Sequence, residues 1–318
     1  MTPQEWTAER LRRAGITITG PAEQAETRAW SCQFRVPTTA GTVYFKSSPP
    51  AFGHEAALTR ALAEWSPGDV PEVLAADPDR NWMLTADFGT GRRYADPARF
   101  VHAYTEMIPA FVRIQANASR HVGELGCTGC PDHRLATLPE RFDTLVREAA
   151  GGGPLAGPRG LAPDELSALR RLTGPFGETC RRLAAHGVPE TVVHADIWRG
   201  NFLLTARGPV VFDWAESMIG HPFLSLEVML ADVRTLVPGD RDALDLVRDT
   251  YLEEWRRRGI PAGRAEAAVR LTAAPALVSR ALMWRDAIAG LDDATRPRYE
   301  GAVAQHLRHL RRLLVPAG

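Results

Sequence analysis

The fold is decided by residues 191–217, which read TVVHADIWRGNFLLTARGPVVFDWAES. A short apolar run opens this stretch and leads into a polar loop, as at the end of a buried strand. The loop carries three side chains with useful chemistry, His194, Asp196 and Asn201. Two further apolar runs follow, and the Ala-Arg-Gly segment between them predicts a β-hairpin with a three-residue turn.

The hairpin predicts which side chains meet at its open end. With Thr205 facing Pro209 across the turn, Asn201 would face Asp213, and directly opposed residues lie about 4.5 to 5.5 Å apart at Cα. An amide oxygen and a carboxylate at that spacing suit Mg²⁺, which takes one or two protein ligands and adds water and phosphate oxygens. Asp196 lies in the loop just outside this pair, where it would accept a hydroxyl proton.

A base followed by an amide and a carboxylate fits phosphoryl transfer from Mg-ATP. The alternative is that Asp196 and Asn201 only build the loop, through the side-chain to backbone hydrogen bonds that these residue types often make. The spacing of Asp196, Asn201 and Asp213 around the predicted strands favours the functional interpretation.

The motif His194-x-Asp196-x-x-x-x-Asn201, followed by the run VVFDW that contains Asp213, resembles a known enzyme family. It is similar to the phosphotransferase family of aminoglycoside and choline kinases, distant relatives of the protein kinases. The resemblance implies that Asp196 is the catalytic base and that Asn201 and Asp213 are magnesium ligands.

The same resemblance implies an α+β, bilobal, protein-kinase-like fold. A small antiparallel sheet with one main helix would form a nucleotide-binding lobe that ends in a hinge, over residues 1–89. A larger, mostly helical lobe over residues 90–318 would contain the catalytic loop, the metal site and the acceptor pocket. Within that lobe, apolar periodicity predicts helices over 241–258, 264–288 and 298–314.

Lysine usage points to one position. Of 38 Lys and Arg residues, only Lys46 is a lysine. A compact ammonium differs from a planar guanidinium in size and hydrogen-bond geometry, so a site that requires the first cannot accept the second. Lys46 lies in a predicted strand that resembles the kinase strand whose lysine binds the α- and β-phosphates. Glu55 lies on the inward face of the next predicted helix, and we expect the two to pair; the alternative is a solvated glutamate at a helix start.

The resemblance also implies contacts with the nucleotide, ATP or GTP. Backbone groups of Ala86 and Phe88 have the hinge position and would bind adenine, and backbone N–H groups near Ala29 to Ser31 would meet phosphate oxygens. The turn before Ser31 has no glycine, so the glycine-rich phosphate cover of protein kinases is absent. Asp87 belongs to an Ala-Asp-Phe-Gly segment that spells a kinase metal motif. It lies far upstream of the catalytic loop, so we assign it no metal role.

The acceptor is expected to be a small molecule. Asp213 and Ser225 are too close in sequence for the long activation segment on which protein kinases dock peptides. Ser225 stands where relatives have an aspartate that caps a helix and braces the catalytic loop, and a serine can also cap. Because the family's acceptor pocket lies between the C-terminal helices and this loop, the candidates for contacting the acceptor are Glu216, Trp284, Asp286, Asp292 and Asp293. A core tryptophan and solvated carboxylates are equally open alternatives.

Composition limits the remaining classes. The chain is 45% hydrophobic and 24% charged, as in globular proteins, and its net charge of zero argues against a nucleic-acid binder. No apolar run reaches the roughly 18 residues of a membrane span, and the polar N-terminus lacks the pattern of a signal peptide, so we expect a cytoplasmic protein without a membrane partner. Cys127, Cys130 and His133 form only half of a zinc signature. Nothing indicates the oligomeric state.

The sequence therefore predicts a phosphotransferase that moves the γ-phosphoryl group of ATP to a hydroxyl of a small molecule, an antibiotic such as an aminoglycoside or a related metabolite. Two alternatives stay open. One is a metabolic kinase acting on choline, an amino acid or a sugar; the other is a nucleotide-binding regulatory module without turnover. A polycationic antibiotic would demand a strongly acidic pocket, and a quaternary ammonium would prefer an aromatic cage.

Overall fold

The structure is a computed structural model that describes residues 1–28, 31–92, 96–151 and 159–315, and the side chains of all of these except residues 25–28 and 31. Its first part is a five-stranded sheet with two helices. These elements are α1 (Pro3–Arg13), β1 (Glu23–Arg28), β2 (Ser31–Thr38), β3 (Gly41–Ser47), α2 (Glu55–Trp65), β4 (Val73–Asp77) and β5 (Trp82–Ala86). The strand order is β1-β2-β3-β5-β4 and every neighbouring pair is antiparallel, as the sequence predicts for the small lobe.

Aromatic side chains hold α1 against the sheet. Trp6 of α1 meets the edges of Phe45 and Trp82 at ring-centroid distances of 6.1 and 5.8 Å, and Phe34 stacks on Phe45 at 4.5 Å. Offset and edge-on pairs of this kind add to the gain from burying the rings. The helix begins with a capping box in which Thr2 accepts from the Glu5 N–H, so its position is fixed at the start as well.

The remaining elements are mostly helical. They are α3 (Pro97–Ala118), α4 (Val122–Cys127), α5 (Leu138–Ala150), α6 (Pro163–Ala184), β6 (Thr191–His194), β7 (Phe202–Thr205), β8 (Gly208–Val211), β9 (Ser217–Gly220), α7 (Phe223–Leu236), α8 (Arg241–Arg256), α9 (Ala262–Val269), α10 (Ala273–Ala289) and α11 (Ala302–Leu314). Their main hydrophobic core includes the buried face of α3 and the fully buried Trp214. The chain leaves the sheet at Ala86 and enters α3 at Pro97, so the predicted boundary at residue 89 falls in this connection.

One predicted helix is wrong. Residues 264–288 form two helices, α9 and α10, with a break at residues 270–272. Thr272 lies in this break, fully buried, and its hydroxyl donates to Glu227 at 2.7 Å. Pro275 lies in the first turn of α10, where a missing N–H costs no helical hydrogen bond, so the sequence restarts a helix there. No helix in the described ranges has the length and apolar character needed to cross a membrane.

The predicted hairpin exists, but its register differs by one residue. Thr205 pairs with Gly208 and Phe202 pairs with Val211, so the turn has two residues instead of three. Gly208 has φ of 124°, a conformation that glycine adopts without strain. Asn201 therefore lies opposite Phe212, whose N–H donates to the Asn201 carbonyl at 3.0 Å, and the predicted direct pairing of Asn201 with Asp213 is wrong.

Candidate active site

A cavity of about 290 Å³ lies between the sheet and the loop that follows β6. Both halves of the chain contribute to it. Lys46, Glu55 and Asp213 contact one another, and we call their part of the cavity the charged end; the part lined by the packed rings of Phe88 and Phe212 we call the apolar end. Its lining includes Tyr44, Lys46, Glu55, Met83, Thr85, Asp87, Phe88, Gly89, Asn201, Leu203, Phe212 and Asp213. Asp196 is outside this lining and contacts it through Asn201, as described below.

Lys46 makes the main electrostatic link across the cavity. Its Nζ donates to Glu55 Oε1 at 2.5 Å and to Asp213 Oδ1 at 2.7 Å, so the predicted pairing with Glu55 is confirmed. Glu55 is only 1% exposed, and its other oxygen accepts from the Ser48 hydroxyl. Burial opposes the ammonium charge, but the two carboxylates outweigh it and raise the pKa of Lys46 above its ordinary value.

Backbone geometry at Asp213 explains how the carboxylate reaches this lysine despite the shifted register. Asp213 follows β8 with φ of 63° and ψ of 60°, a left-handed conformation that is uncommon for residues other than glycine. The chain turns sharply there, and the carboxylate contacts Lys46. Asn201 reaches the same cavity from the start of the hairpin. Asn201 and Asp213 thus line one cavity without being cross-strand partners.

His194 orients the loop that carries Asp196. One ring nitrogen, Nε2, lies 3.1 Å from the carbonyl oxygen of Phe212, and Nδ1 lies 3.2 Å from the N–H of Asp196. Because a carbonyl only accepts and an N–H only donates, these contacts define a neutral ring that is protonated at Nε2. Burial lowers the pKa of His194 to about 4, which keeps the ring neutral at pH 7.

Asn201 closes the loop onto Asp196. Its side-chain amide donates to the Asp196 carbonyl at 2.7 Å and to Asp196 Oδ2 at 2.8 Å. The amide nitrogen is thereby committed to the loop, and the amide oxygen is the polar atom that Asn201 has for a ligand in the cavity. The loop-building alternative and the functional one therefore use different atoms of the same side chain.

Two residues of α7 brace the loop from outside. Ser225 does not cap the helix; it lies in the first turn, and its hydroxyl accepts from the His194 N–H at 3.0 Å. Two helical turns further on, Asp232 pairs with the Arg199 guanidinium and accepts from the Tyr104 hydroxyl at 2.7 Å. The Ser225 hydroxyl therefore holds the loop at His194, and the Asp232 carboxylate holds it at Arg199.

The predicted hinge lies beside the apolar end of the cavity. The N–H of Ala86 donates to the Glu72 carbonyl at 3.0 Å. The Phe88 ring packs on Phe212 with a centroid distance of 5.2 Å. Asp87 accepts from the Gly89 N–H at 2.8 Å and so stabilises the turn that leaves the sheet.

The predicted phosphate contact at residues 29–31 lies largely outside the described residues. Residues 29 and 30 are not described, and of Ser31 only the backbone is, as the first residue of β2.

Among the acceptor candidates, Glu216 is hydrogen-bonded to a group that also contacts the loop carrying Asp196. Its Oε2 lies 2.8 Å from Arg280 Nη1, and the same nitrogen donates to the carbonyl of Ala195, the residue before Asp196. Burial raises the pKa of Glu216 to about 7; Arg280 opposes this rise, and the carboxylates of Asp196 and Asp213 add to it.

The other candidates lie further along the C-terminal helices. Trp284 stacks on Tyr299 at a centroid distance of 5.7 Å. Asp286 accepts from Arg285 at 2.7 Å, Asp293 from Arg296 at 2.9 Å, and Asp292 from the backbone N–H groups of Ala294 and Thr295. Each of these three carboxylates has a local partner, and none of them is hydrogen-bonded to the catalytic loop in the described structure.

Sequence reasoning missed Arg280, Asp232 and Tyr104. All three act over long sequence separations, and no local pattern distinguishes them from the many other arginines, aspartates and tyrosines of amphipathic helices. The sequence contained one hint for Asp232. Ser225 replaces the aspartate that braces the loop in relatives, and Asp232 is the first acidic residue on the same face of the helix, two turns further on.

The residues at the charged end of the cavity fit a magnesium ion bound with phosphates. Asn201 and Asp213 supply oxygen atoms, the ligands that Mg²⁺ prefers, and two protein ligands are the number it usually takes beside substrate phosphates. The described residues contain no group of three His, Cys, Asp or Glu side chains able to hold a metal alone. The donor set therefore suits an ion that arrives with its nucleotide.

Comparisons with known proteins give the family and the fold. A family model described as the phosphotransferase enzyme family, APH, matches residues 22–267. No curated protein matches the chain.

Solved structures of similar fold include two proteins named as choline or choline/ethanolamine kinases and one antibiotic kinase. A choline/ethanolamine kinase family protein from Mesorhizobium loti has 18% identity, a TM-score of 0.56, and coverage of 98% of this chain and 99% of its own. A choline kinase from Cryptosporidium parvum has 12% identity, a TM-score of 0.64, and coverage of 98% and 96%. An amicoumacin kinase, solved with AMP-PNP, Ca²⁺ and its antibiotic, has 12% identity, a TM-score of 0.54, and coverage of 99% and 98%. At these identities the likeness is one of fold, which is α+β and protein-kinase-like.

Proposed function

The chain belongs to the phosphotransferase enzyme family and is a small-molecule kinase that acts on a hydroxyl group, and we propose that it uses Mg-ATP, with Asp196 as catalytic base. One observation carries this proposal. The chain's only lysine lies within 2.7 Å of Asp213 and pairs with the buried Glu55, in a cavity that also contains Asn201. That combination supplies a fixed cation and two oxygen ligands for a metal ion in one cavity.

The nucleotide would bind with its base at the apolar end of the cavity. We assign the adenine contacts to the carbonyl of Ala86 and the N–H of Phe88, because the Ala86 N–H is already used by Glu72. Lys46 would then bind the α- and β-phosphates while Glu55 holds its ammonium in place. In this assignment residues 1–89 form the nucleotide lobe, and residues 90–318 carry the loop, the metal ligands and the acceptor pocket.

Asn201 and Asp213 would hold the magnesium ion, which neutralises negative charge on the phosphates when bound. Asp196 orients the acceptor hydroxyl and takes its proton, a role that contributes about 10² to 10⁴ in rate. Asn201 fixes the Asp196 carboxylate through one hydrogen bond, and His194 fixes the Asp196 peptide through another. The protein thus positions the base from both its side chain and its backbone.

The family leaves two acceptor classes, hydroxylated antibiotics and hydroxylated metabolites, and an ATP-consumption screen across both identifies the acceptor. GTP replaces ATP in a parallel series. A cytoplasmic location is part of the proposal and is supported by the four free cysteines, which are typical of a reducing compartment.

The test of the catalytic assignment is Asp196→Ala. This variant should lose turnover by roughly 10²-fold or more, because it removes the proton acceptor, and should bind Mg-AMP-PNP with nearly wild-type affinity. Calorimetric binding and single-turnover kinetics measure the two effects separately. Full activity of the variant on an accepted substrate would show that Asp196 is not the base.

A further inference from the structure

Arg280 of α10 contacts the peptide that directly precedes Asp196, the proposed base. Its Nη1 donates to the carbonyl of Ala195, which directly precedes Asp196, and to Glu216 Oε2 at 2.8 Å. The Arg280 side chain is 23% exposed and that of Glu216 is 17% exposed, so the pair is largely withdrawn from water. The Nε and Nη2 groups of Arg280 have no hydrogen-bond partner among the described residues and keep three donors for a ligand.

The carboxylates proposed for contacting the acceptor have partners within the protein. Glu216 is paired with Arg280, Asp286 with Arg285, and Asp293 with Arg296. Asp292 accepts from two backbone N–H groups of its own turn. A cationic acceptor would therefore compete with an existing partner at each of these carboxylates.

One helix beside Arg280 has more basic than acidic side chains. Helix α11 packs against α10 and has no Asp or Glu; it carries Arg308, which is paired with Glu165, and also Arg311 and Arg312. Burial lowers the pKa of His306, also on α11, and the nearby Arg280 lowers it further, so this ring is kept neutral. Trp284 and Tyr299 stack nearly parallel, with 21° between their planes, which is not the arrangement of rings enclosing a quaternary ammonium.

We propose that the acceptor carries an anionic group, a carboxylate, sulfate or phosphate, beside the hydroxyl that is phosphorylated, and that Arg280 binds this group. The proposal rests on the proposed function, since it concerns the acceptor of the same transfer. Arg280 is suited to it because a planar guanidinium binds a carboxylate or phosphate through two parallel hydrogen bonds. Its contact with the Ala195 carbonyl fixes the guanidinium beside the residue that precedes Asp196, so an anion on Arg280 would bind next to the proposed base.

A binding measurement tests this without knowledge of the acceptor. The protein is saturated with Mg-AMP-PNP, so that Lys46 is occupied, and titrated calorimetrically with malonate and separately with spermidine. Malonate should bind and spermidine should not. Arg280→Gln should weaken malonate binding at least about tenfold, or roughly 1.4 kcal/mol, while Arg280→Lys should retain part of it.

Arg285→Gln is the matched control, because Arg285 lies on the same helix with 24% side-chain exposure but pairs with Glu148 and Asp286. It should leave malonate binding unchanged. The inference is overturned if malonate fails to bind the nucleotide-loaded protein, if Arg280→Gln binds it as well as wild type, or if spermidine binds more tightly. In those cases Mg-AMP-PNP binding and turnover still support the kinase assignment. Failure to bind Mg-AMP-PNP at all would instead overturn the proposed function, and this inference with it.

Discussion

Replacing Lys46 by methionine removes the one ammonium that balances two carboxylates at the cavity. The lysine is 11% exposed and Glu55 is 1% exposed, so the substitution leaves a buried carboxylate with the Ser48 hydroxyl as its remaining hydrogen-bond partner among the described residues. Breaking a buried ion pair on one side costs about 3 to 5 kcal/mol. Asp213 is about a third exposed, and water screens its share of the loss. We therefore expect Lys46→Met to lower the free energy of unfolding by about 3 kcal/mol.

Urea unfolding followed by circular dichroism measures this loss, and a double-mutant cycle assigns it. The Lys46→Met, Glu55→Gln double variant should recover about 1 to 2 kcal/mol, because the buried carboxylate is gone. Arg35→Met is the control for a generic lost ion pair. Arg35 and Glu23 are paired with 54% and 52% exposure, and their separation should cost about 0 to 1 kcal/mol.

The affinity for Mg-AMP-PNP should not follow the free energy of unfolding in these variants. Lys46→Met and the double variant should both bind Mg-AMP-PNP weakly, because neither has an ammonium for the phosphates. Lys46→Arg should also bind it less tightly than wild type, since a planar fork does not fit a site built for a point charge. The reasoning is refuted if Lys46→Met lowers the free energy of unfolding no more than Arg35→Met does. It is also refuted if the double variant is less stable than Lys46→Met alone.

Two other perturbations test the bracing of the loop and the buried histidines. Asp232→Asn should lower kcat about tenfold and retain Mg-ATP binding, because Arg199 loses its charged partner. Tyr104→Phe should lower kcat less. Wild-type kcat for Asp232→Asn in steady-state kinetics would show that Asp232 does not position the loop. The free energy of unfolding should also fall as pH drops from about 6.5 toward 4. Burial lowers the pKa of four histidines, to about 4 or about 3: His54, His194, His133 and His221. In this pH range the four histidines are protonated in the unfolded chain and mostly neutral in the folded one, so lowering the pH favours unfolding. The raised pKa of Glu216, about 7, acts in the opposite direction because the folded state holds that proton. The net uptake near pH 5 should be about two to three protons, or ~3 to 4 kcal/mol per pH unit, and urea midpoints that do not change between pH 6.5 and 5 would contradict it.

Local chemistry in the sequence was enough to predict the contact between Lys46 and Glu55. Lys46 stands out as the only lysine, and Glu55 follows from helical periodicity, so their contact could be predicted from two short segments. The register of the hairpin could not. A two-residue turn with Gly208 at positive φ and a three-residue turn differ by one position, and that position decides which side chains oppose each other. The left-handed backbone at Asp213 then brings its carboxylate to Lys46 by a route that alternation along a strand does not predict.

The contacts of Arg280 could not be predicted from any short segment of the sequence. Arg280 reaches Ala195 from a helix 85 positions further along the chain, and that contact depends on how α10 is rotated about its axis. The N–H of Ala195 is held as well, by the carbonyl of Glu216 at 3.0 Å, so both polar groups of this residue are fixed by the pair on the acceptor side. If Arg280 binds the acceptor and Asp196 is the base, as we propose, then acceptor recognition and the position of the base are mechanically linked. A ligand that draws Arg280 toward itself also acts on the Asp196 peptide. An acceptor of the wrong charge would then cost the enzyme both binding and alignment, and specificity at Arg280 should appear in kcat as well as in KM.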